Sequence, residues 1–380
     1  MDKDPVGGAS RGGPGLVVGK DIEGAYESIE SALKASRSGD YIYIYPGSYD
    51  ECIVIDHDVR LIGQGELGEV LLTSNKATVI EVRTNLLLVE NITVSQLGRI
   101  DAFAVDIQLG MARFSSCDFS SNGLACVVAN GNSSPTIVDC TIHDGNDAGI
   151  LIQGNSRAVV DGNKVYGNRF AGIEIKGNAT PTVKSNKIYQ GYEAGVLVHE
   201  EGAGVITGNE ISSNELAGIE VRGGGNPRIT GNRLHKGRQV GLFIHKKAIA
   251  TVDANEISEN AKSGIAVQTG ANPTVLNNLI RGNNEAGVVV SDSGLGKFSS
   301  NQIIYNRASG VQISNGASPV LEANIVSFNL GGVMVFDQGA GRLTGNDLRY
   351  NQKGAIYVSE DSISGLERSG NSEWTDASYN

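Results

Sequence analysis

The sequence predicts an all-β fold, a single-stranded right-handed parallel β-helix of 23-residue coils behind an N-terminal capping helix. Three observations carry this reading. Lines opening at Gly149, Gly172, Gly195, Gly218, Gly241, Gly264, Gly287 and Gly310 repeat at a step of 23 residues, and a fixed internal period of this length marks a solenoid. Each line holds three short alternating segments, "GIEV", "PRI" and "NRLH" in the line from Gly218, and alternation broken by Gly, Asn and Pro is a strand signal. Finally, Asn163, Asn186, Asn209, Asn232, Asn255, Asn278, Asn301, Asn324 and Asn346 all fall in the turn between the second and third segments, where stacked amides bond from coil to coil.

The elements follow in chain order. Residues 1–19, rich in glycine, read as a flexible leader without the apolar core of a signal peptide. The β-helix is expected over 20–370. "SIESALKAS", about 28–36, is its capping helix, with Ser28 as N-cap and Ile29, Ala32 and Leu33 on one face. A cap is needed because a solenoid otherwise exposes its core at each end. A strand, a Pro-Gly turn and two further strands come next. Regular coils are expected over about 103–353, with two weaker lines from Phe103 and Cys126 and a shortened one from Gly332. Three strands of this length cannot bury a face alone. Stacked at ~4.8 Å, they set Ile150, Ile173, Val196, Ile219, Leu242, Ile265 and Val288 in one buried column, and parallel crossovers make the coil right-handed. Residues 371–380 read as a tail, with Trp374 either covering the last coil or lying loose.

A second period overlies the first. Pro135, Pro181, Pro227, Pro273 and Pro319 recur every 46 residues, so the duplicated unit is a pair of coils. Cys117 and Cys140 occupy the ladder position in the two coils before Asn163. Stacking brings their Cα atoms within reach of a disulfide, while two reduced thiols filling the corner are the expectation for a cytosolic chain. Among the 380 residues, 51 glycines suit turns, and 40% hydrophobic residues suffice for a core. A formal charge of −11 speaks against sequence-independent nucleic-acid binding, and no apolar run is long enough to span a membrane. The chain is expected to be intracellular and cytoplasmic.

With the helix, the "YPGSY" turn and the "AGIEV…NP.I.GN.L..G" lines in hand, residues about 20–365 resemble the CASH-type β-helix of pectin-lyase-like proteins. More narrowly they resemble the β-helix of F-box substrate receptors of the F-box-only-eleven type, in the alternation of "G.NP" and "G.G" lines with "NKIY" and "NEI". No F-box is expected before the helix and no zinc finger after it. The resemblance implies a module that contacts a protein partner.

The chemistry-bearing candidates lie on outward positions. Glu174 and Glu220 share one row of the first strands, beside a second row of Lys176, His199, Arg222 and His245. Two coils separate the glutamates, roughly 9–10 Å, too far for one ion, and their spacing is the 46-residue duplication period. On the third strands Tyr166 and Tyr189 are neighbours, suited to a sugar or a partner hot spot and equally to plain strand packing. No cofactor and no metal site is expected. The leading expectation is a non-catalytic protein-interaction scaffold of the ubiquitin-ligase recognition type. The alternative is a carbohydrate-active β-helix enzyme, a polysaccharide lyase or epimerase, or a sugar-binding module.

Overall fold

The computed structural model describes residues 15–373, and its strands assemble into three parallel sheets that run the length of a right-handed solenoid. The first-strand sheet has 14 strands, from Ile53–Ile55 to Ile356–Val358. The second-strand sheet has 16, from Leu16–Val18 to Leu366–Ser369, and the third-strand sheet 13, from Gly47–Asp50 to Ile325–Ser327. Pairing is in register with the 23-residue step: Ile150 sits beside Ile173, Ile173 beside Val196, Val196 beside Ile219 and Ile219 beside Leu242. The expected column therefore forms, and each of its members is fully buried.

The helix Ile29–Ala35 closes the N-terminal end. Ser28 Oγ accepts from the Ser31 N–H, and Glu51 accepts from the N–H groups of Ile29 and Glu30 at 2.9 and 2.8 Å. These bonds satisfy donors that the helix itself leaves unpaired. Ile29, Ala32 and Leu33 face the core.

Two boundaries differ from the sequence reading. Leu16–Val18, assigned to the leader, pairs with Ile42–Ile44 as the edge strand of the second-strand sheet, and Val18 is wholly buried. Asn371, assigned to the tail, accepts from Asn346 at 2.9 Å and extends the ladder. The rest of the expected leader, residues 1–14, and Trp374 lie outside the described residues.

The asparagine ladder is continuous. Asn163 Oδ1 accepts from the Cys140 N–H, the Asn163 N–H and Nδ2 both donate to Asn186 Oδ1, and Nδ2 also reaches Ile137 O, all at 2.9 Å. The pattern repeats from Asn186 to Asn346. Cys117 and Cys140 are unbridged, and the Cys117 N–H donates to Cys140 Sγ at 3.4 Å. A second ladder was missed in the sequence. Asn260, Asn283, Asn306, Asn329 and Asn351 bond one another in the turn after the third strands. Asn168 and Asn214 belong to it too, but Gly191 and Gly237 occupy the coils between, so their Nδ2 groups are buried without a partner.

Candidate functional site

Within a first strand such as Ile173–Ile175, the outer residues point into the core and the middle one, Glu174, points out; Lys176, two residues on, does likewise. The residue above and along from Glu174 is His199. His199 Nε2 lies 2.8 Å from Glu174 Oε1, and Lys176 Nζ lies 3.3 Å from the same oxygen. Forty-six residues later the arrangement recurs, with His245 Nε2 at 2.9 Å and Arg222 Nη1 at 3.2 Å from Glu220 Oε1. Six of the sequence candidates thus form two equivalent clusters, each a carboxylate held by a histidine and a base.

The sequence placed these glutamates on an open face, whereas Glu174 is 4% and Glu220 9% exposed. In their outward row Glu174 is flanked by Leu151 and Leu197, and Glu220 by Leu197 and Phe243. Asp147 feels the Glu174 charge, and Glu193 that of Glu220. Burial pushes the Glu174 carboxyl up, but the His199 hydrogen bond and the Lys176 charge together outweigh it and hold the group below the usual carboxylate range. Glu220 is lowered in the same way, burial being opposed by His245, Arg222 and Lys246. Asp147 and Glu193 are displaced the other way, raised by burial first and then by the neighbouring Glu174 or Glu220 charge. Each cluster therefore pairs a carboxyl that keeps its proton longer with one that loses it earlier, the arrangement of an acid and a base in one site. Sequence reasoning missed Asp147 and Glu193, although they carry the same 46-residue signature.

The two copies differ where it matters. His199 Nδ1 lies 3.4 Å from Glu200 Oε1, so both its nitrogens face carboxylates. In the second copy Lys246 stands where Glu200 does. Phe243 replaces Leu197 in the outward row and stacks on His245 with centroids 4.1 Å apart. A groove of about 440 Å³ opens here, lined by Glu193, Leu216, Glu220, Arg222, Phe243 and Gln268 among others. Sequence reasoning found no concave site because turn length alone does not show how turn side chains wall the sheet. His245 is not among the lining residues and holds Glu220 from beside the groove, its ring covered by Phe243.

Tyr166 and Tyr189 lie on the third-strand sheet, away from both clusters. Their rings stack 5.2 Å apart, and His143 stacks on Tyr166 at 5.1 Å. His143 sits between Asp118 at 3.2 Å and Asp144 at 2.7 Å. Chiefly the Asp118 hydrogen bond, opposed by burial and aided by Asp144, moves its pKa up to about 9. Among the described residues no group of three or more His, Cys, Asp or Glu side chains is placed to hold a metal ion, and no helix is long and apolar enough to cross a membrane.

Comparison with known proteins follows this geometry. The family model described as "Right handed beta helix region" matches residues 79–232, 171–326 and 217–372. The A-module of mannuronan C-5 epimerase AlgE6 of Azotobacter vinelandii is similar in structure, at 15% identity and a TM-score of 0.55, over 84% of this chain and 93% of that one. The periplasmic alginate epimerase AlgG is similar at 16% identity and 0.54, over 85% and 78%. The catalytic unit of a thermostable GH87 α-1,3-glucanase from Streptomyces thermodiastaticus matches at 13% and 0.58, over 98% and 72%. At these identities the likeness is one of fold. These three are carbohydrate-active enzymes and one is periplasmic, and the family match carries no F-box or ubiquitin-ligase feature. The expectations of a non-catalytic, ubiquitin-ligase-type scaffold and of an intracellular, cytoplasmic location are corrected accordingly. The regular 23-residue coils, the three stacked sheets and the family match over most of the chain have one reading: it belongs to the right-handed β-helix family.

Proposed function

We propose that the chain is a carbohydrate-active enzyme that acts on a uronic-acid-containing polysaccharide laid along the first-strand sheet, in the manner of a lyase or epimerase. The observation that carries this reading is the groove that gathers Glu193, Glu220 and Arg222, with His245 hydrogen-bonded to Glu220 beside it. Arg222 meets the carboxylate of a bound sugar and stabilises the charge that develops on it, with Glu193 beside it in the groove. Glu220, which lines the groove, removes the ring proton beside that carboxylate, while His245 Nε2, 2.9 Å from Glu220 Oε1, holds the carboxylate in place. Delivery of a proton from water to the opposite face inverts the ring carbon, whereas expulsion of the linked sugar, whose oxygen takes its proton from water, leaves an unsaturated end. Phe243 supplies an apolar wall for the sugar. The pectin-lyase-like sequence resemblance and the carbohydrate-active structural neighbours support the reading, and so does the fit of about 440 Å³ to a small number of sugar residues.

The test is incubation with polymannuronate and polygalacturonate, followed by proton NMR of the anomeric region and ultraviolet detection of unsaturated products. Conversion of at least one polymer is expected, with Glu193→Gln and Glu220→Gln each reducing it ~100-fold or more. Intact polymers after prolonged incubation, with no binding, would sink the proposal.

A further inference from the structure

At the N-terminal end of the rod, away from the groove, the side chains of Ser36, His57 and Asp56 meet. Ser36 caps the C-terminus of the helix Ile29–Ala35. His57 follows the first strand of the first-strand sheet, Ile53–Ile55, with Asp56 just before it. Ser36 Oγ lies 2.8 Å from His57 Nε2, and His57 Nδ1 lies 2.8 Å from Asp56 Oδ1. This is nucleophile, base and orienting carboxylate in hydrogen-bond sequence, a constellation recognised by geometry rather than by order in the chain. The three line a cleft of about 470 Å³ whose other walls are Glu30, Leu33, Lys34, Cys52 and Val54. Val54 is 47% exposed and gives the cleft an apolar floor beside the hydroxyl.

We infer that Ser36, His57 and Asp56 form a second catalytic centre that hydrolyses short-chain carboxylic esters. With the Nδ1 proton directed at Asp56, the Nε2 lone pair faces the serine. The hydroxyl proton has a second acceptor, Leu33 O at 2.8 Å, which pins Oγ at the helix end. Carbonyls of a helix C-terminus oppose an alkoxide there, so the proton must pass to His57 as the Oγ–carbon bond forms. The Lys34 ammonium, paired with Glu30 at 2.7 Å on the same cleft, is the cation available to the developing oxyanion. Collapse of the tetrahedral intermediate breaks the carbon–oxygen bond to the alcohol, which leaves with the proton from Nε2. Water then adds to the acyl-serine with His57 as base, releasing the carboxylic acid and restoring Ser36. No oxidant, reductant or metal is needed. Asp56 belongs to the outward row that continues through Arg83 along the first-strand sheet. The cleft lies seven strands along that sheet from Glu220, and ester cleavage does not depend on the glycan reading.

The test uses the full chain with p-nitrophenyl acetate as substrate and a fluorophosphonate as covalent label. Saturable hydrolysis and labelling of Ser36, located by peptide mass, are expected. Ser36→Ala should abolish both, and His57→Ala should lower kcat/KM ~100-fold or more. Asp56 is largely exposed, so Asp56→Asn leaves the fold intact and should still cost about 10-fold through the histidine tautomer. Hydrolysis surviving in Ser36→Ala, a label on any other residue, or Asp56→Asn and His57→Ala both at the parent rate would overturn the inference. So would the absence of saturable hydrolysis.

Discussion

Asn232 shows how much one side chain does in this fold. Its Oδ1 accepts from the Asn209 N–H at 3.0 Å and from Asn209 Nδ2 at 2.9 Å, and its Nδ2 donates to Ile206 O at 2.8 Å. Asn232→Ala strands two donors of Asn209 in a dry corner, at ~1–3 kcal/mol each. A lower midpoint in urea, equivalent to about 2–5 kcal/mol, is the expected outcome. The second ladder allows the opposite experiment. Asn214 Nδ2 is buried without a partner because the next coil has Gly237. That glycine does not need a left-handed backbone, and a Cβ there would meet Asn260 Oδ1 at 3.1 Å, a crowding that Asn283 and Asn306 accommodate in the same ladder. Gly237→Asn should therefore stabilise the rod by ~1 kcal/mol. A thermal melt below the parent would show that the corner cannot take the side chain. The first ladder was legible in the sequence because its period is unbroken. The second was not, since glycine interrupts it in alternate coils over its first half.

At the scale of an element, the columns of each sheet were readable because side chains alternate and the coil step is constant. What one coil lays over another was not. Glu174 and Glu220 read as exposed because alternation shows which way a side chain points and not how far the larger Leu151, Leu197 and Phe243 in the same row cover it. Asp147 and Glu193 did not read as part of the site because they lie in turns. The third-strand face gives a pH test. His143, raised from about 6.5 to about 9 by Asp118 and Asp144, is a folded-state pKa above its unfolded value. Its contribution to stability is therefore fully present below pH 6.5 and is lost as pH rises through about 9. Asp118, Asp144 and Tyr166 are the groups that face it. His143→Gln should flatten that part of the stability profile while leaving the slope at acid pH unchanged. Urea unfolding of both proteins across this range provides the comparison, and parallel profiles would show that His143 is not the titrating group.

For the whole molecule, the solenoid and its family were legible in the 23-residue repeat, whereas function was not. The strongest sequence likeness pointed to a protein-binding rod, and a fold shared by binding modules and enzymes cannot separate the two. The proposed enzymatic reading rests on the asymmetry between the two duplicated clusters. Glu200 lies against His199 in the first copy, while Phe243 walls a groove with Glu220 and Arg222 in the second. Duplication alone would make the copies equivalent. The most direct measurement is the initial rate of polyuronate conversion, followed by NMR, in Glu174→Gln and Glu220→Gln side by side with the parent. Glu220→Gln should lose ~100-fold or more and Glu174→Gln less than about 10-fold, with both proteins folded. Equal losses in the two variants, or a parent rate in Glu220→Gln, would contradict the assignment of the working site to the Glu220 coil.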